Sequence, residues 1–327
     1  MITFSFKDKI MIITIRLKYF AILYAAIFQV CTLSAQQKKQ STIAQYLTNI
    51  QPEPLWHLAD SIPLNFDTYH TQGLTKAGNY FYLTSVKVNR WPQRYASPKD
   101  GFDRDNGDGV GYLFKFNENG KLLDSIRLGK DAVYHPGGID FDGKYIWVPV
   151  CEYRPFGKSM IYRVNPETMQ ATLITTITDA IGAVAYNRDA NELIGMNWGS
   201  RVFYTWKISN AGNKIQAILL HQKGDLNQHF YVDFQDCNYA GNGKMICSGL
   251  RSYKNAKGES IKLGGLELID MQTFDAGLQL PVSQYTAKGV VITNNPFYIS
   301  IANNKLQCYF IPEDDKSVLY IHELRQQ

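Results

Sequence analysis

Residues 135–155 read HPGGIDFDGKYIWVPVCEYRP: a glycine pair, an apolar run, a D-G turn and a second apolar run. The chain has already used this pattern. From His70 it reads HTQGLTKAGNYFYLTSVKVNR, so that His70 falls on His135, Gly73 on Gly138 and Tyr80 on Tyr145. Two copies of one unit point to a repeat architecture. Three further copies begin at Asp179, Asp233 and Thr286, and each unit is completed by a second pair of apolar runs, as in GYLFKFNENGKLLDSIRL at 111–128. Short apolar runs divided by N-G, D-G, G-N or N-N are hairpins. Four antiparallel strands per unit, at roughly 45–65 residues each, specify a β-propeller blade. The fold class is therefore all-β, a five-bladed β-propeller of four-stranded blades.

The fifth unit ends one strand short, at SVLYIHEL. A strand is left over near the start, LWHLADSIPL at 55–64, and its DSIPL repeats the DSIRL of the first unit's fourth strand. The N-terminal strand is thus expected to join the last blade and close the ring. A sixth blade within residues 85–110 is the alternative, in a stretch rich in Pro, Gly and charge.

Of the 327 residues, 45% are hydrophobic and 13% aromatic, with 21 Tyr and 17 Phe, a globular composition that favours strands. Residues 1–35 differ. Lys7, Lys9, Arg16 and Lys18 precede the apolar run YFAILYAAIFQV, and Ala35 offers a small residue before a polar stretch. That is the pattern of a signal peptide, too short in its apolar part for a membrane span. An uncleaved anchor is the alternative, and a lipid on Cys31 is disfavoured by bulky Val30. Either Met1 or Met11 can be the start. The expected organisation is a leader at 1–35, a polar linker or short helix at 36–52 and one propeller domain at 53–327. Such a protein is exported, periplasmic or extracellular, with no stable span after cleavage, and is a monomer. The leader's four Lys/Arg and one Asp, net +3, leave +2 of the formal +5 on the mature chain. No basic block remains for nucleic acid.

Cys151, Cys237, Cys247 and Cys308 follow the leader, and none forms a C-x-x-C pair. Cys237 and Cys247 lie on adjacent strands of one hairpin and can pair in an oxidising exterior. The reading preferred here is that all four are small apolar core residues.

In a propeller the first strand of each blade lines the central channel. Aligned on the repeat glycine, His70, His135, Asp179, Asp233 and Thr286 stand three residues before it, and Gln72, Gly137, Ile181, Gln235 and Lys288 one before it; Asp236 replaces the glycine in the fourth unit. His70, His135 and Asp236 are the candidate catalytic groups. Gln72, Asp233, Gln235 and Lys288 are candidate ligand contacts, joined by Glu152, Arg154, Trp198 and Arg251 from the loops after the second strands. Arg and aromatic residues at a mouth suit anionic or sugar-like ligands. Each is also explicable as solvation of a wet channel. Two His and a carboxylate can hold zinc. The insertion DRDNGDG at 103–109 approaches a calcium loop but fails its fifth position and lacks the distal Glu. G-x-S-x-G and P-loop motifs are missing.

HTQGL, the insertion DGFDRDNGDGVGYLFKF at 100–116 and HPGGIDFDGKYIWVPVCEYRP together resemble a bacterial secreted β-propeller family of unknown function, over nearly all of the mature chain. The resemblance implies the fold and export and brings no activity. More distantly, the glycine–tyrosine rhythm is similar to lactonase-like propellers, which implies calcium in the channel, although a clear Glu/Asn/Asp set is lacking here. Three functions follow as expectations. The first is binding of a small polar or anionic ligand or a carbohydrate at the channel mouth. The second is a hydrolase or lyase, lactonase- or glycosidase-like, using the channel histidines and carboxylates, either alone or with a divalent metal, calcium or zinc. The third is a protein-interaction platform.

Overall fold

The computed structural model describes residues 42–51, 55–211, 214–224 and 231–325. The expected leader, 1–35, lies outside the described residues, as do 36–41 of the polar segment. The chain begins with a helix, α1 (Ile43–Thr48), and a strand, β1 (Leu55–Pro63). Blade 1 contains β2 (His70–Ala77), β3 (Tyr80–Arg90), β4 (Arg94–Lys99), β5 (Phe102–Arg104), β6 (Asp108–Phe116) and β7 (Leu122–Leu128). Its sheet runs β2-β3-β6-β7, and β4 and β5 form a separate two-stranded hairpin, so the proposed sixth blade does not exist. Blade 2 has β8 (Val133–Pro136) and β9 (Asp140–Phe141) sharing the inner position, then β10 (Ile146–Glu152), β11 (Ser159–Val164) and β12 (Ala171–Ile177). Blade 3 is β13 (Ile181–Asn187), β14 (Glu192–Asn197), β15 (Val202–Ala211) and β16 (Lys214–Gly224). Blade 4 is β17 (Asp233–Gly241), β18 (Lys244–Lys254), β19 (Ser260–Asp270) and β20 (Ala276–Val282). Blade 5 is β21 (Phe297–Ala302), β22 (Lys305–Phe310) and β23 (Val318–Arg325), with β1 antiparallel to β23 as its outer strand. The ring closes as its sequence repeats require.

The axis is not a wet channel. Asp236, on β17, is fully buried and accepts three backbone amides from three other blades: Leu74 N at 2.7 Å, Ile139 N at 2.9 Å and Phe297 N at 2.9 Å. Asp140 accepts Tyr186 N of blade 3 at 2.9 Å, Tyr239 N of blade 4 at 3.1 Å and Phe141 N beside it. Two carboxylates thus tie all five inner strands together. The repeat glycines make room for this approach. A Cβ on Gly73 would stand 2.6 Å from Gly138 Cα, and one on Gly138 2.6 Å from Asp236 Oδ1. Burial pushes the Asp236 carboxyl well above the usual carboxylate range, against the pull of its three amides.

Core packing lies between blades. Ala44 and Leu47 of α1 are buried among Ala240, Ile246, Leu268 and Phe297, so the helix seals the junction of blades 4 and 5 rather than acting as a linker. Thr42 and Gln45 form its capping box. Cys237 and Cys247 face one another across β17 and β18 and are joined by a disulfide, which corrects the preferred reading of four free thiols. They are also core residues, and Cys151 and Cys308 are buried and free, as that reading held.

The closing strand packs Trp56 against Phe310, at 6.4 Å between ring centroids, and His322, at 6.2 Å. Burial, helped by His57, lowers His322 from 6.5 to about 4. A histidine kept neutral in this way binds fewer protons folded than unfolded. Its contribution is whole above about pH 6.5 and is lost as pH falls towards about 4. Asp140, raised to about 6 by burial, acts in the opposite sense over part of that window. The test is therefore a difference in thermal stability. Between about pH 6.5 and 4, wild type should lose up to about 3 kcal/mol more than His322→Phe; parallel profiles would contradict the assignment. At the axis, Asp236→Ala leaves three buried amides unpaired at about 1–3 kcal/mol each. Urea unfolding should show most of a typical stability gone, with Asp236→Asn intermediate, and a loss below about 1 kcal/mol for the alanine variant would refute the tie.

Candidate ligand site

Above the sealed axis, at the end where the inner strands begin, lies a cavity of about 220 Å³. Three inner strands reach it through β-bulges. Register slips at Gln72 in β2, Gly182 in β13 and Gln235 in β17, and all three residues line the cavity. A bulge leaves one residue unpaired and re-aims it, here towards the mouth. Gln235 Oε1 accepts Asn295 N at 2.9 Å, Asn295 Nδ2 donates to Thr71 O at 2.8 Å, and Gln72 Nε2 donates to the same oxygen at 2.7 Å. These bonds fix an amide-rich floor.

The wall is aromatic. Tyr153 stacks on His135 with centroids 3.9 Å apart and on Trp198 at 5.6 Å. His70 lies 6.1 Å from His135 and 5.6 Å from Trp91, and Arg104 stands over Trp198 at 5.7 Å. Trp91 and Trp198 are 52% and 38% exposed, large apolar faces presented at a mouth. His135 is only 8% exposed, lines the cavity, and its Nε2 has no hydrogen-bond partner among the described residues. Burial, and then the neighbouring His70, hold it well below the usual histidine range, so it is neutral at neutral pH.

Behind His70 stands Asp314, from the loop between β22 and β23, with its oxygens 3.0 and 3.1 Å from Nδ1. A carboxylate accepts there, so Nδ1 carries a proton, and Nε2 on the other side of the ring lies 3.4 Å from the Tyr153 hydroxyl. Burial, then Asp314, push Tyr153 up to about 12. Burial also pushes the Cys151 thiol, which lines the cavity, to about 12, which leaves it unreactive.

The structure brings together His70, His135, Gln72, Trp198 and Gln235 of the expected set. The others stand apart. Asp236 has both oxygens committed to backbone amides of the inner strands and does not line the cavity. Asp233 pairs with Arg201 at 2.7 Å, and Glu152 with Arg154 at 2.8 Å, whose guanidinium covers Phe102. Arg251 lies against Tyr253 on β18, away from the cavity lining. Lys288 is exposed in the turn from Thr286 to Val290. The alignment on Gly289 puts the fifth repeat too early: Phe297 N takes the place of Leu74 N and Ile139 N at Asp236, so Thr293 and Asn295 stand where Thr286 and Lys288 were expected, and Asn294 and Asn295 line the cavity. Asn-Asn before the apolar run PFYISIA was the available signal. Asp314 carried none, because only the closed ring sets it beside His70.

The donors do not fit calcium or zinc. No carboxylate lines the cavity, and no three His, Cys, Asp or Glu gather as ligands among the described residues. In the insertion, Asp103 pairs with Arg104, while Asp105 pairs with Arg90 and accepts Gln93 N and Gly107 N. Its acidic side chains are spent on their own hairpin.

No curated protein matches the chain in sequence. Among solved structures it is similar to a hypothetical protein from Leishmania major, with 12% identity, a TM-score of 0.47 and coverage of 81% of this chain and 90% of that one. It is similar also to a luciferin-regenerating enzyme, at 9% identity, TM-score 0.45 and coverage of 84% and 98%. A third is MPT-4, a mannose phosphorylase from Leishmania mexicana, at 11% identity, TM-score 0.43 and coverage of 90% and 94%. Likenesses this distant lend the chain no activity. Its sequence does match one family profile over residues 26–325, and the chain belongs to that family, the family of unknown function DUF6454.

Proposed function

We propose that the protein binds a small, neutral, hydroxyl-bearing ring, such as one sugar unit of a glycan, in the aromatic cup. The observation that carries this reading is the buried His135 Nε2, a polar atom without a partner in a cavity walled by Tyr153 and Trp198. Leaving such an atom unpaired costs about 1–3 kcal/mol, which a ligand hydroxyl recovers. Aromatic faces take the ring's apolar side, and the amides of Gln72, Gln235 and Asn295 surround its polar edge. No Lys, Arg, Asp or Glu lines the cavity, which favours a neutral ligand over an anion. Its volume lies below the roughly 300–1,000 Å³ of drug-sized pockets and suits a single ring.

Saturation-transfer NMR against a monosaccharide panel, followed by calorimetry, tests this. A binder should emerge whose affinity falls at least about tenfold in His135→Ala and Trp198→Ala, a loss of about 1.4 kcal/mol or more. Unchanged affinity in both variants would contradict the site. Because His135 is held neutral, affinity should stay flat as pH falls through about 6.5 and decline only well below it. A midpoint near 6.5 would contradict the buried neutral ring.

One observation favours a second reading, acid–base turnover. The Asp314–His70 pair, joined at Nδ1, turns the Nε2 of His70 towards the cavity, the geometry of a carboxylate-oriented general base. Under this reading lactones, esters or glycosides are turned over. Asp314→Asn should then lower kcat by about 10²-fold or more with KM little changed. Equal kcat in the variant, or no turnover of these classes, removes it.

We further infer export to an oxidising compartment, supported by the Cys237–Cys247 disulfide and by the leader-like start. Intact mass of the protein from the periplasmic or extracellular fraction should show residues 1–35 removed and this cysteine pair oxidised. A reduced, full-length cytosolic chain would refute it.

A further inference from the structure

The opposite end of the ring carries a second cavity, of about 460 Å³, between blades 2 and 3. It opens where β9 turns into β10 and β13 into β14, at the far end of those strands from His135 and Cys151. Three cations line it, Lys144, Arg163 and Arg188, with a single carboxylate, Asp142. Asp142 is already used. One oxygen accepts Lys144 N at 2.7 Å and Tyr145 N at 2.6 Å, and the other accepts Trp147 Nε1 at 2.8 Å.

The cations are not neutralised in turn. Among the described residues, none of the three forms an ion pair. Arg163 stands over Tyr145, its guanidinium carbon 3.9 Å from the ring centroid, and its Nε is buried with no hydrogen-bond partner among the described residues. Arg188 donates to Phe141 O at 2.5 Å and stands over the Tyr239 ring at 5.6 Å; burial raises the Asp140 carboxyl, and the Arg188 charge offsets part of that from beyond ion-pair distance. A guanidinium taken partly out of water with a donor left idle is unfavourable unless an acceptor arrives. Its planar fork matches the oxygens of a carboxylate or phosphate.

We propose that this cavity binds the oxyanion group, phosphate or carboxylate, of a small molecule. Arg163 and Arg188 grip the anion, and Lys144, 5.2 Å from the Tyr145 ring centroid, adds charge. The site is independent of the aromatic cup, which carries no charged lining, so each proposal stands or falls alone.

Inorganic phosphate and succinate, titrated separately into the purified full chain at constant ionic strength set with chloride, test it by calorimetry and thermal unfolding. Saturable binding in the range of about 0.1–10 mM with a rise in Tm is expected for at least one anion. The tighter of the two identifies the source of the oxyanion. Affinity should fall at least about tenfold in Arg163→Gln and in Arg188→Gln. Arg188 is exposed, so its variant keeps the fold and remains readable if Arg163→Gln lowers stability. No saturable response beyond that of chloride, or equal affinity in wild type and Arg188→Gln, overturns the proposal.

Discussion

Six backbone amides held by two buried carboxylates organise this propeller. Asp236 and Asp140 sit where the inner strands converge and accept N–H groups that no sheet ladder can use. The opposing forces are large. Burial disfavours charge on both side chains, and the amides offset part of that cost while both carboxyls stay raised. The glycines of the repeat are the other half of the arrangement, since a side chain at Gly73, Gly137 or Gly138 would collide with a neighbouring strand. The H-x-x-G pattern is thus a packing rule for closing an axis.

Closing the axis creates the site. A sealed floor turns a channel into a cup, and bulges at Gln72, Gly182 and Gln235 bring those residues to its lining. The strands that supply the floor also supply His70 and His135 at their beginnings, which explains why residues 65 positions apart by sequence number stand 6.1 Å apart. The wall comes from the loops that follow the second strands of blades 2 and 3, with Tyr153 and Trp198. Among the described residues that line the cup, the buried polar side-chain atom left without a partner is His135 Nε2. At the other end of the ring the same hairpins leave cations rather than an aromatic wall, so the two ends differ in the chemistry they offer.

Much of this was legible from residues alone. Blade number, ring closure by β1 and the convergence of His70 and His135 all followed from a period of hydrophobic runs and turns. Asp236 was read as chemistry because it breaks the glycine repeat at the channel. The tie it makes depends on amides of three other blades, which no local pattern encodes. Lys288 was misplaced for a simpler reason. A turn glycine, Gly289, imitated the repeat glycine ahead of a longer approach to β21. Glu152, Arg154 and Asp233 stand near the mouth-side ends of strands, each in an ion pair that strand pattern alone does not encode. The disulfide was open in sequence because directly opposed cysteines serve equally well as core residues.

Nitrogen-15 NMR of the histidine side chains in the absence and presence of a bound sugar measures the central feature directly. At neutral pH the account predicts a neutral His135 ring whose Nε2 resonance is that of a nitrogen without a strong partner, and which moves on saturation with ligand. An imidazolium signal for His135 at neutral pH, or an Nε2 resonance unmoved by a saturating ligand, would contradict the account.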